Sequence, residues 1–202
     1  MYDKCTKWYS QVVARTLDVE KRDALLRSVI GYLETHGVND LSLAPLAEAI
    51  GTSKRMLLYY FGDKNGLLTQ ALDASRPNVS DFLHEVDSPE RLTEASMSIW
   101  HALTRGHRHR AVPVLLQVLS LAGTDPDTFG TYARHAVEAM VIPLAQACES
   151  AGIPPREAPT RATLLVSGLR GLALDLVVTG DRERLDAAAK LLIAAAIHGG
   201  GK

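Results

Sequence analysis

The sequence predicts an all-α protein. Three observations carry this. Apolar residues recur at three- and four-residue spacing along nearly all of the 202 residues. No apolar–polar alternation of the kind a half-buried strand needs lasts more than a few residues. The periodic stretches are punctuated by glycine at their ends and by Ser, Asp or Pro at their starts. The architecture expected is an N-terminal three-helix unit followed by a longer helical unit, about nine helices in all.

Each element has a local reason. Residues 1–17 are mixed in character and read as an N-terminal arm or a frayed helix. The first helix spans 18–36, with Leu26, Val29, Ile30 and Leu33 on one face and Gly37 as its stop. Ser42 suits the N-cap of the second helix. Pro45 is tolerated in its first turn but has no N–H, so Ser42 is expected to bond to the amide of Ala44. Leu46, Ala47 and Ile50 face inward, Gly51 makes a turn, and Ser53 caps a third helix with Leu57, Tyr60 and Phe61 as inward candidates. Gly62 ends that helix, and Asp63 caps a fourth that runs to about Ser75, before Pro77. Longer helices follow over about 88–104, 112–122, 125–152 (with Pro143 as a kink), 160–179 and 181–198. The domains expected are therefore 1–17, 18–62 and 63–202.

Composition narrows the class. Hydrophobic residues make up 47%, charged residues 22%, and the net charge is -1, an ordinary globular balance rather than that of a dedicated polyanion binder. A sequence-specific DNA binder remains open, since it needs only a local positive patch. Cys5 and Cys148 form neither a disulfide framework nor a zinc-ligand spacing, which fits a cytoplasmic protein. The start of the chain lacks the apolar core of a signal peptide, and the apolar run 191–197 is short for a membrane span. No nucleophile elbow, phosphate loop or acid pair is present, so neither an enzyme nor a cofactor is expected.

The stretch from Ser42 to Lys64 carries the most information. Two short helices meet at a glycine turn, and no carboxylate lies between Gly51 and Gly62, where Lys54, Arg55, Tyr59 and Tyr60 stand. That is the layout of a helix-turn-helix, in which a short helix enters the major groove while its neighbours grip phosphates. The motif follows an amphipathic helix, continues through Leu-Leu-Tyr-Tyr-Phe-Gly-Asp-Lys-Asn-Gly-Leu-Leu at 57–68, and precedes a helical remainder of ordinary domain size.

This combination resembles the tetracycline-repressor (TetR) family of bacterial regulators, whose signature is similar to residues 57–68. The resemblance implies a homodimer on a palindromic operator in double-stranded DNA, most simply a repressor, released by a small-molecule effector bound in the C-terminal part. It places Ser53, Lys54, Arg55 and Met56 where the family reads base edges. Tyr59 and Tyr60 fall where it touches the backbone, and Lys64 and Ser42 where it meets phosphates. Arg55 is the best base reader, because a guanidinium grips guanine O6 and N7 together. Two departures stand out: Leu58 replaces a usual tyrosine, and Ala44 and Pro45 replace polar residues. With eight Lys/Arg against seven Asp/Glu over residues 1–62, they leave an alternative, a TetR-like helical interaction protein that has lost sequence-specific DNA binding.

Other features are weaker. Met97, Trp100, His101, Gln117, Phe129, Tyr132 and Met140, with Phe82, mark a candidate ligand pocket; the bland reading is helix-spaced core. Gly168, Gly171, Ala188, Leu192 and Ala195 are small or apolar positions on the last two helices and a candidate dimer interface; the competing reading is packing within one chain. The run Arg105-Gly106-His107-Arg108-His109-Arg110 lacks a third metal ligand close by and reads first as a solvated loop, so no metal is expected.

Overall fold

The computed structural model describes residues 3–39, 41–75, 78–105 and 110–199, with side chains from Asp18 onward. Among the described residues there are ten helices and no strand. They are α1 (Asp3–His36), α2 (Leu43–Ala49), α3 (Lys54–Phe61), α4 (Lys64–Ser75), α5 (Ser80–Leu83), α6 (Pro89–Thr104), α7 (Ala111–Leu121), α8 (Pro126–Ser150), α9 (Ala158–Thr179) and α10 (Arg182–His198). The short α5 was not expected. Of the arm and the frayed helix expected over 1–17, the structure has helix: α1 runs unbroken from Asp3, and residues 3–17 contain no Gly or Pro to interrupt it.

The helix starts obey local chemistry. Ser53, Ser88, Asp125 and Asp181 each accept from the backbone N–H three residues on, at 3.2–3.3 Å. Asp63 does the same for Gly66 at 2.7 Å. Each such cap contributes about 1 kcal/mol. Ser42 is the exception. It holds the extended N-cap conformation of α2 but makes no side-chain cap bond, to Ala44 or any other amide. Pro45 occupies the third helical position and removes the amide that a serine cap uses most readily.

The chain divides into two compact units, Met1–Ala74 and Ser75–Lys202. The boundary lies a helix later than the expected 62/63. α4, with Leu67, Leu68, Ala71 and Leu72 buried, belongs to the first unit. Val29 and Leu33 of α1, Leu43, Leu46 and Ala47 of α2, and Leu57 and Phe61 of α3 are buried in the same unit. Leu26, Ile30 and Ile50, expected inside, are only half-buried.

The second unit is a helical bundle in which α9 packs between α8 and α10, while α6 lies on α10. Its core holds the fully buried Leu92, Trp100, Leu165, Leu185 and Ile193. Three arginines fasten its ends. Arg161 donates to the last carbonyls of α10, Ala196 and Ile197, at 2.8 and 2.9 Å, and to Glu157 at 2.9 Å. Arg184 clamps Asp175 and Asp181 across the α9–α10 turn. Arg105 pairs with Asp186 at 2.7 Å. By length and composition α9 is apolar enough to cross a membrane. In this bundle its buried face, Ala158, Ala162, Leu165, Val166, Leu169 and Ala173, is part of the core.

Candidate nucleic-acid interface

The α2–α3 turn is built from backbone bonds. Gly51 takes φ +69°, which an L side chain rarely adopts. Thr52 N–H then reaches Ala47 O at 2.8 Å and Gly51 N–H reaches Glu48 O at 3.2 Å, closing the end of α2. One residue later Ser53 starts α3. The turn is therefore short and rigid, as presentation of a recognition helix requires.

At 100° per residue, α3 places Leu57 and Phe61 on one side and Arg55, Met56 and Tyr59 opposite. Burial agrees. Leu57 and Phe61 are buried; Lys54, Arg55 and Tyr59 are exposed, Tyr59 at 68%. Met56 is half-buried. Leu58 is exposed beside them, an apolar side chain in a polar face. Among the described residues no carboxylate pairs with Lys54, Arg55 or Lys64. Lys64 is the first residue of α4 and half-buried, and Ser42 is exposed at the start of α2.

Tyr60 points elsewhere. It is half-buried, and its hydroxyl donates to Asp18 Oδ1 at 2.7 Å. That bond, with a smaller contribution from desolvation and from the nearby Asp18 charge, pushes the phenol from 10 up to about 12. One turn along α1, the Arg22 guanidinium lies 5.6 Å from the centre of the Phe61 ring and donates to Gln70 of α4. Asp18 and Arg22 thus set α3 and α4 against α1. Sequence reasoning missed both. Their four-residue spacing on one helix face was visible; their partners, 42 and 48 residues away, were not.

Comparison with known proteins bears on this geometry. The family model of bacterial regulatory proteins, tetR family, matches residues 31–71, which cover the end of α1, all of α2 and α3, and most of α4. This stretch of the chain is similar to the tetR family. The HTH-type transcriptional regulator BetI of Stenotrophomonas maltophilia is 35% identical over 52 residues, 26% of this chain and 26% of that protein. The alignment therefore spans about a quarter of that curated relative. Two solved structures are similar in fold over most of the chain. A transcriptional regulator from Rhodococcus sp. Rha1 matches with TM-score 0.69 and 23% identity, over 88% of this chain and 96% of that one. NalD, the secondary repressor of the MexAB-OprM multidrug efflux pump in Pseudomonas aeruginosa, matches with TM-score 0.66 and 18% identity, over 89% and 96%.

The second unit holds a cavity that the sequence reading did not mark. A cavity of 340 Å³ opens among Leu103, Thr104, Val112, Pro113, Ala173, Leu176, Val177, Gly180 and Arg182, and none of the seven expected residues lines it. Trp100 is fully buried and its indole donates to Asp186 at 2.7 Å, tying α6 to α10. Phe129 and Tyr132 are buried, Met97 and Met140 pack against the core, and His101 and Gln117 are half-buried. These helix-spaced Met and aromatic side chains belong to the interior packing. Burial pushes the Asp186 carboxyl up, but its bonds from Trp100 and Arg105, with the charges of Arg105 and Arg182, hold it below the ordinary carboxylate value.

The expected interface residues split. A side chain at Gly168 would collide with Leu192, so these two pack against each other within one chain. Gly171 has nothing near it and faces out, as does Ala195, while Ala188 is half-buried. Residues three apart on a helix differ by 60°, enough to put Gly168 inside and Gly171 outside. His107 and His109 fall outside the described residues, and among those described no cluster could hold a metal ion.

Proposed function

We propose that the chain is a ligand-responsive transcriptional repressor that binds a palindromic operator as a homodimer. The observation that carries this is the outward face of α3, where Arg55, Met56 and Tyr59 stand with Lys54 beside them and no carboxylate opposes them. Arg55 reads a base edge and Ser53, Lys54 and Met56 lie at its flanks. Tyr59, Lys64 and Ser42 meet the backbone. The same unneutralised cations weigh against the reading in which DNA binding has been lost.

One α3 reads too few base pairs, so two copies must act on half-sites about one helical turn apart. The outer faces of α9 and α10 support pairing. Thr160, Leu164, Ser167, Gly171, Leu174 and Val178 are all exposed, at alternating spacings of four and three. Ala187, Leu191, Ala194 and His198 repeat the spacing on α10. That is the rhythm of a helix–helix seam, and no carboxylate, Lys or Arg interrupts it.

Release follows if an effector in the second unit favours a conformation in which the recognition helices no longer match successive grooves. α4 ends at Ser75, where the second unit begins, so it is the element through which such a change passes along the chain. Action on genomic DNA places the protein in the bacterial cytoplasm. The test is a mobility-shift selection from genomic fragments at low salt, with footprinting of those retained. Discrete fragments with a palindromic footprint are expected, with affinity falling steeply as salt rises. No retained fragment would overturn the proposal.

A further inference from the structure

We propose that the second unit binds an amphipathic monocarboxylate in the cavity at the C-terminal end of α6, with Arg182 holding the carboxylate and apolar walls holding the body. This deepens the ligand-responsive reading, on which only its consequence for DNA rests.

The walls set the body of the ligand. Leu103, Val112, Ala173, Leu176 and Val177 offer hydrocarbon on several sides of the 340 Å³ space. That volume lies at the small end of the range of about 300–1,000 Å³ for ligand cavities. A short alkyl or arylalkyl chain fits it; a large polycyclic molecule does not.

The polar end follows from counting donors. Of the three lining groups with polar character, Thr104 gives its hydroxyl proton to Trp100 O at 2.7 Å, and Gly180 gives its N–H to Leu176 O at 2.9 Å. Arg182 is the one charged side chain among the described lining residues. One of its N–H groups reaches Thr104 O at 3.1 Å, which leaves most of a five-donor fork unspent.

Neighbouring carboxylates do not close on it. Asp175 and Asp181 are engaged by Arg184, and Asp186 accepts from Arg105 and Trp100, each at 2.7 Å. Among the described residues Arg182 has no carboxylate bonded to it. A ligand carboxylate would supply the missing partner with two parallel bonds. An ammonium would meet like charge. A neutral chain would gain only the walls. A second negative charge on the body would be desolvated among aliphatic side chains without a partner.

The experiment uses the full chain carrying Trp8→Phe, which leaves Trp100 as its one tryptophan. Trp100 donates to Asp186, which feels the Arg182 charge, so its fluorescence reports the site. Octanoate, octanol and octylammonium are titrated without DNA, with calorimetry alongside. Octanoate is expected to bind about tenfold or more tighter than octanol, the factor one charge-assisted hydrogen bond supplies. Arg182→Met should erase that preference while keeping octanol binding, and Arg182→Lys should retain part of it. Equal binding of octanoate and octanol overturns the proposal, as does unchanged octanoate binding by Arg182→Met or strongest binding by octylammonium. The DNA arm separates the two readings. Octanoate that binds through Arg182 without releasing the retained fragments keeps the site and overturns ligand-controlled release by it. Release that survives Arg182→Met keeps ligand-controlled release and overturns the site.

Discussion

The outer face of α3 and the outer seam of α9 and α10 are both turned to solvent, yet they are chemically opposite. α3 presents Lys54, Arg55 and Tyr59. The seam presents Leu164, Gly171, Leu174 and Val178 on one helix and Ala187, Leu191 and Ala194 on the other. Val178 and Leu191 are 76% and 74% exposed. A cation loses little by staying in water until a phosphate replaces that water. A Leu or Val left in water forgoes about 1.5–3 kcal/mol that burial would return. What a helix leaves uncovered therefore indicates its partner: a polyanion for the first face, another apolar helix for the second.

Breaking the seam gives the largest expected effect. Leu174→Glu combined with Leu191→Glu puts uncompensated carboxylates into the proposed interface. The variant should sediment as a monomer while keeping the helical content of the parent. Its operator affinity should fall by roughly 10²-fold or more, because the two half-sites are then bound independently. A double variant that still sediments as a dimer would put the interface elsewhere and end the comparison.

Arg55→Ala tests the other face. The expected loss is about 1–3 kcal/mol, confined to operators that carry the contacted base pair. Binding profiles over singly substituted operators read it directly. Relaxed preference at one position supports a base contact, whereas a uniform loss across all positions moves Arg55 to the phosphates.

How much of this was readable beforehand depended on distance along the chain. The caps at Ser53, Asp63, Ser88, Asp125 and Asp181 were legible because the bond spans three residues and the rule is local. The α3 motif was legible for the same reason. The cap at Ser42 was misread, although the proline that prevents it was in plain view. The cavity was illegible, since its walls come from residues as far apart as Leu103 and Leu176. So was the role of Trp100, whose partner lies 86 residues on. Gly168 and Gly171 show the remaining limit. Composition marked both as small, but only the packing of Leu192 on Gly168 separates the inner from the outer one.

Lys64→Ala should have a smaller and different effect from Arg55→Ala. It removes one positive charge at the start of α4, so binding should weaken about equally on every sequence. The slope of log affinity against log salt should become shallower by about one unit. An unchanged slope would mean that Lys64 does not displace a counterion, and the DNA-facing surface would end with α3.

The smallest effect is expected at Tyr60, where the structure and the motif pull apart. The motif places this residue on the DNA backbone; the structure commits its hydroxyl to Asp18 at 2.7 Å. Tyr60→Phe keeps the ring and removes that bond. If the hydroxyl serves α1 and not phosphate, the salt slope should stay that of the parent while stability falls slightly. The pH dependence identifies the bond. The folded-state phenol is raised from 10 to about 12, so its stabilising contribution is complete below pH 10 and disappears as the pH climbs through about 12. The difference in denaturation midpoint between parent and Tyr60→Phe should therefore be constant near neutrality and vanish over that interval. A shallower salt slope, with a stability difference that persists at high pH, would return Tyr60 to the DNA face and leave Asp18 without its partner.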